Sequence, residues 1–340
     1  MGEPETSALQ AASDLDRVAI TLSTIAYLGV DDSPPDRFKA MAKALQIQSL
    51  PTARQWGLVW GPHEHDQSLV FVAQGPVVDG RRLYAVVFRG TVDSIYNFFF
   101  DLDVWGQSPM PWTDPELPGA KLADGTIDDW DDIRHLYQSP GGRKQTLPDF
   151  LRGVDAGSQV IVTGHSLGGN MATAMADWLR VELNVPTPHV RIQPITFAAP
   201  TSGNAAFATP YIRVFPGSRH FVNDLDVVPR AWAYADLESI KSLYPGFGAP
   251  KCDDLNGCHG LIDAALAFVG HEYLQPEKRI VLNSRLYSES GVLDFYDEAL
   301  AQHSSLLYMY LTGIPLAAIR ALYPELNWQP PPGLSGFRWS

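Results

Sequence analysis

A serine, Ser166, stands between glycines at a spacing of two in the run Gly164-His165-Ser166-Leu167-Gly168. The bare G-x-S-x-G pattern carries little weight, because both residue types are common. Its surroundings add to it. Residues 159–164, QVIVTG, are apolar and β-branched and read as a buried strand, and the alanine-rich residues 167–183 read as a helix. A serine at such a strand-to-helix turn projects its hydroxyl from the end of a sheet. Flanking glycines let the two backbones approach where a Cβ would not fit. The amide of Leu167, the first helical residue, then favours negative charge developing beside it. The chemistry implied is attack by an alcohol oxygen.

Such an oxygen needs a base, and the base needs an orienting acid. In a strand–serine–helix arrangement these follow later in the chain, acid first. In the run FVNDLDVVPR, Asp226 stands just past a strand-like stretch and just before Pro229, with Asp224 as the alternative. Either could otherwise be a solvated turn carboxylate. The later histidines are His189, His220, His259, His271 and His303. Ser304 and Ser305 can cap a helix carrying Leu306, Leu307, Tyr310 and Leu311, which predicts His303 on the loop before it. The side chain of His165, next to the nucleophile, is expected to leave in another direction.

The elements that must position these residues alternate. Strand-like runs fall at 57–61, 68–74, 83–90, 159–164, 190–200, 211–215, 219–223 and 278–283. Helical spacing appears at 13–28, with Ser13 placed as a cap, at PPDRFKAMAKAL, and at 167–183. Short apolar strands alternating with helices predict an α/β protein with a mostly parallel sheet covered on both faces. No composition shift divides the chain, so 1–340 reads as one domain with a proline-rich tail at about 324–340. Residues 94–104 place Ile95, Phe98, Phe99 and Leu102 at i, i+3, i+4 and i+7 behind Ser94, which fits an amphipathic helix followed by Trp105 and Trp112.

Composition narrows the partners. Of 340 residues, 45% are hydrophobic and 19% charged, with a net charge of −13. That balance argues against nucleic acid, whose phosphates call for clustered Lys and Arg. No apolar run reaches the length of a membrane-spanning helix, and no secretory signal is visible. The start MGEPET matches a myristoylation pattern, but so short a match reads as an unstructured terminus. Cys252 and Cys258 are too few for a zinc site unless His259 and a carboxylate join them, and read as a local disulfide, with free thiols as the alternative; a disulfide favours a secreted or periplasmic setting. No metal or other cofactor is implied.

Several ordered blocks resemble the class 3, fungal-type lipases of the α/β-hydrolase superfamily, over about residues 80–310. VVFRGTVDSIYNFFFDL resembles the family's R-G-T/S and N-W-x-x-D-L segments through Arg89, Gly90, Thr91, Asn97, Asp101 and Leu102, with Phe98 departing from Trp. VTGHSLGG, TFAAPTSGNAAFA, NDLDVVPR and FVGHEYL follow in the family's order. The resemblance implies an α/β-hydrolase fold, the acid at Asp226, the base at His303 and a second oxyanion donor at Thr91, joining Leu167. It also implies a lid-like segment over 92–112, with Ile95, Phe98, Phe99, Leu102, Trp105 and His165 as substrate-binding or lid residues; ordinary core packing of the apolar stripe is the alternative. Arg89 is expected to pair with an internal carboxylate.

The expected activity is a serine carboxylic-ester hydrolase, a lipase on acylglycerols or other fatty-acyl esters, with transient lipid contact through the lid. The alternatives are an esterase for short-chain or aromatic-acid esters, a phospholipase or acyltransferase on the same scaffold, and an inert binding protein of the same fold.

Overall fold

The computed structural model describes residues 3–65, 68–91, 106–184, 188–244, 272–276, 278–287 and 295–334. Seven strands form one sheet: β1 (Gly57–His65), β2 (Ser68–Val78), β3 (Arg81–Phe88), β4 (Gln159–His165), β5 (Arg191–Phe197), β6 (Arg219–Asn223) and β7 (Arg279–Leu282). They lie side by side in chain order. The first three pair antiparallel, and β3 through β7 run parallel. Parallel neighbours need crossovers, and helices supply them.

Strands β2, β3 and β4 are buried on both faces, and the period of two sorts their side chains. Val86, Val160 and Val162 face one core with Met171, Met175 and Leu179 of α5 (Leu167–Leu183) and with Phe207 and Tyr211 of α6 (Ala205–Val214). Helices α3 (Asp124–His135) and α4 (Leu147–Arg152) add Ile133, Leu147 and Leu151 to it. Val87, Ile161 and Phe197 face the other core, against Ile20, Leu22 and Ile25 of α1 (Glu3–Ile25) and Met41 of α2 (Pro34–Ala44). Helices α9 (Ser305–Leu311) and α10 (Leu316–Leu322) close that side with Leu307, Tyr308 and Ile319. Two further helices, α7 (Tyr234–Ser239) and α8 (Phe295–His303), lie toward the ends of the last strands. No helix among the described residues is long and apolar enough to cross a membrane.

Three sequence expectations need correction. Residues 211–215, read as a strand from Tyr, Ile, Val and Phe, belong mainly to α6. Asn204 caps that helix by accepting the Phe207 amide at 3.0 Å, and Tyr211 donates to the Thr173 carbonyl at 2.9 Å, so packing on α5 overrides strand propensity. Ser13 is not a cap, because α1 already begins at Glu3 in the stretch read as an unstructured terminus. His303 ends α8 rather than sitting on a loop, and Ser304 separates it from α9. Of the segment expected to be lid-like, residues 92–105 lie outside the described residues, and 106–112 make defined contacts. Residues 107–109 pair with 121–123, and buried Trp112 donates to Asp177 Oδ2 at 2.8 Å.

Candidate active site

Ser166 sits between β4 and α5 with φ 62° and ψ −132°. A non-glycine residue seldom holds such a backbone, which costs roughly 1–3 kcal/mol and must be enforced by its surroundings. The surroundings are identifiable. The Ser166 amide donates to the Phe197 carbonyl at 3.0 Å, tying the turn to the end of β5. A Cβ on Gly164 would collide with the backbone of Gly168, and one on Gly168 with the Phe88 carbonyl and with Arg89 and Gly90. The spacing read in the sequence therefore has a steric cause: three backbone segments cross with no room for side chains.

His303 lies with Nε2 at 2.8 Å from Ser166 Oγ and Nδ1 at 2.8 Å from Asp226 Oδ2. The carboxylate can only accept, so Nδ1 carries the hydrogen and Nε2 is left to accept from the serine. Asp226 is fully buried. Its Oδ1 accepts the Val228 amide at 2.9 Å and its Oδ2 also accepts the Tyr308 hydroxyl at 2.8 Å. Burial, and then the charge of Asp226, push Tyr308 well above the usual phenol range, so it keeps the proton it donates. Asp224 is directed elsewhere: its carboxylate takes the Ser284 amide at 2.8 Å.

Gly90 meets the Ser166 turn from the other side. A side chain there would strike the Tyr27 hydroxyl, the His165 carbonyl and the Ser166 Cβ. Thr91 follows directly, and Leu167 opens α5, where the first amides have no intrahelical acceptor. The loop carrying Thr91 is anchored by Arg89, whose Nη2 donates to Glu64 Oε1 at 2.6 Å while Arg37 pairs with the other oxygen. Burial raises the Glu64 carboxyl, but the two guanidinium groups outweigh it and hold the group below its ordinary range.

His165 departs from expectation. Its ring does not leave the site but packs on His303, with centroids 4.7 Å apart and planes at 37°. The Tyr27 hydroxyl lies 3.2 Å from its Nδ1. Burial, followed by the charge of neighbouring His303, pushes His165 well below the ordinary imidazole range. It is therefore neutral near pH 7. Ile95, Phe98, Phe99, Leu102 and Trp105, and Cys252 and Cys258, lie outside the described residues.

Three residues at the site escaped the sequence reading: Tyr27, Asn223 and Tyr308. A tyrosine or asparagine amid apolar residues looks like ordinary core, and no spacing in the chain singles these out.

The class 3 lipase family model matches residues 85–235. A lipase of Rhizomucor miehei is 29% identical over 160 residues, 46% of this chain and 39% of that protein. The chloroplastic phospholipase A1-Igamma2 of Arabidopsis thaliana is 25% identical over 225 residues, 60% of this chain and 42% of that protein. The chain thus matches about two fifths of the length of these curated relatives. Among solved structures, M37 lipase superposes with a TM-score of 0.76 at 26% identity, covering 92% of this chain and 98% of that one.

Proposed function

We propose that the chain is a class 3 lipase of the α/β-hydrolase superfamily, a serine carboxylic-ester hydrolase acting on fatty-acyl esters, as the match of the class 3 lipase model to residues 85–235 supports. The observation that supports this most is the unbroken run of hydrogen bonds from Ser166 Oγ through His303 to Asp226, each 2.8 Å long. Ser166 Oγ attacks the ester carbonyl as its proton passes to His303 Nε2. Asp226 holds the ring in the required tautomer and stabilises its cation. The amides of Thr91 and Leu167 receive the oxyanion; one such donor is typically worth about 2.7–4 kcal/mol of transition-state stabilisation. Collapse of the intermediate breaks the carbonyl–alkoxide bond, and the leaving oxygen takes the proton from Nε2. Water then repeats the sequence on the acyl-enzyme, releasing the carboxylic acid and restoring Ser166.

A phospholipase reading is a second candidate, supported by the similarity to the Arabidopsis phospholipase A1. Rates on p-nitrophenyl esters from two to sixteen carbons, and on acylglycerol and diacylphospholipid dispersions, separate the readings. A rise in kcat/KM toward longer chains with acylglycerol turnover is expected. Activity confined to two to four carbons would contradict a lipid substrate, and turnover of phospholipid alone would favour the second reading.

A further inference from the structure

The base and the acid of this site sit on elements that share no strand pairing or covalent neighbour. His303 is the last residue of α8, and Asp226 lies in the turn after β6, 77 positions earlier. A short helix ends with backbone carbonyls that lack intrahelical donors, so the end carrying the base needs a partner from outside. The Gln302 carbonyl finds that partner in a side chain. Asn223, the last residue of β6, donates through Nδ2 to both the Gln302 carbonyl and Gln302 Oε1, each at 2.9 Å. Gln302 immediately precedes His303 in the chain. The Asn223 Oδ1 accepts the Leu225 amide at 3.1 Å, and its carbonyl accepts the Asp226 amide at 3.0 Å, which shapes the turn presenting the acid. Its own amide donates to the Tyr308 hydroxyl at 2.8 Å, leaving that hydroxyl's proton for Asp226 Oδ2 at 2.8 Å.

We infer that Asn223 is a positioning residue for catalysis, clamping the helix end that carries His303 to the turn that carries Asp226. Only a carboxamide satisfies the place: two donors meet two oxygens of Gln302, and one acceptor meets an amide. Asn223 and Gln302 are both buried, 2% and 0% exposed, so water cannot replace these bonds. Gln302 is held in turn, its Nε2 donating to the Arg285 carbonyl at 2.7 Å and to Glu298 Oε1 at 2.8 Å. Aspartate at 223 would set a carboxylate against two acceptor oxygens, and alanine would leave both without a donor. Either change frees the helix end by enough to misplace the imidazole, and a displacement of roughly 1 Å costs on the order of 100-fold in rate.

The inference rests on the assignment of Ser166, His303 and Asp226 above. Asn223→Ala, Asn223→Asp, Gln302→Met and Ser166→Ala are compared with the unaltered chain on one soluble p-nitrophenyl ester, with folding followed by circular dichroism. Proton NMR without substrate follows the His303 Nδ1–H signal, which a carboxylate partner draws far downfield. Asn223→Ala and Asn223→Asp are expected to lower kcat about 100-fold with KM nearly unchanged, and to broaden or abolish the downfield signal. Gln302→Met keeps the backbone acceptor and is expected to lose about 3- to 10-fold in kcat with the same signal weakened. A folded Asn223→Ala with unaltered kcat and an unaltered downfield signal would overturn the clamp. If neither Asn223 variant folds, Gln302→Met decides by the same two readouts. Retained turnover in Ser166→Ala would instead overturn the nucleophile assignment, and the NMR signal would still report on the clamp.

Discussion

His220 is an imidazole enclosed near the start of β6, its Nδ1 2.8 Å from the Thr196 hydroxyl, and burial lowers it to about 4. In the unfolded chain a histidine titrates near 6.5, so below that pH the unfolded state takes up a proton that the folded state refuses. Stability is therefore lost as pH falls from about 6.5 to about 4, and His220 adds nothing to the pH dependence above that window. At about 1.4 kcal/mol per unit the whole effect is about 3 kcal/mol. Asn in place of His220 keeps a partner for Thr196 and cannot be protonated. Urea unfolding of His220→Asn should show its stability relative to the unaltered chain improving by about 3 kcal/mol between pH 7 and pH 4; a constant difference would contradict this. Residues of this scale differ in how far the sequence announces them. Ser166 stood out by its strand–turn–helix setting, whereas Asp224 competed with Asp226 and four later histidines with His303 until the family resemblance pointed to one of each. Asn223 and Tyr308 act through hydrogen bonds that any core asparagine or tyrosine could make, and which way the His165 ring points depends on a turn conformation that pattern alone does not specify.

The element that decides the site is the crossing of β4, α5 and the loop after β3. Gly168 packs its α-carbon on the Phe88 carbonyl and within reach of Arg89 and Gly90, all backbone atoms that cannot rotate away. A methyl group there must push the Thr91 loop outward or tilt α5. Gly168→Ala should therefore lower kcat at least about 100-fold, through the oxyanion donors rather than the triad. Steady-state kinetics on a soluble ester would check it, and an unaltered kcat would show that the crossing is looser than its geometry. Strand and helix identities were legible where the composition was sustained, as in the apolar, β-branched 159–164 and the alanine-rich 167–183. They failed at 211–215, where β-favouring residues serve as one face of a helix against α5, and at His303, where Ser304 and Ser305 marked the start of the next helix, though Ser304 makes no side-chain cap bond, and hid the short one before it.

In the whole molecule, Ser166 and His303 come together across 137 positions and Asp226 from between them, which requires the parallel order of β4, β5 and β6. The alternation of apolar strands and helices made that layered α/β architecture readable. The exact convergence was not, because it depends on which helix end lies over which strand end, and that follows from packing on two separate cores. The central claim is that this convergence makes one alcohol oxygen reactive. Incubation with a p-nitrophenyl alkylphosphonate, followed by intact-mass measurement and peptide mapping, tests it directly. One phosphonyl group on Ser166, with one equivalent of p-nitrophenol released and labelling slowed at least about 1000-fold in His303→Ala, is the predicted result. A label on any other residue, or undiminished labelling of Ser166 without His303, would contradict it.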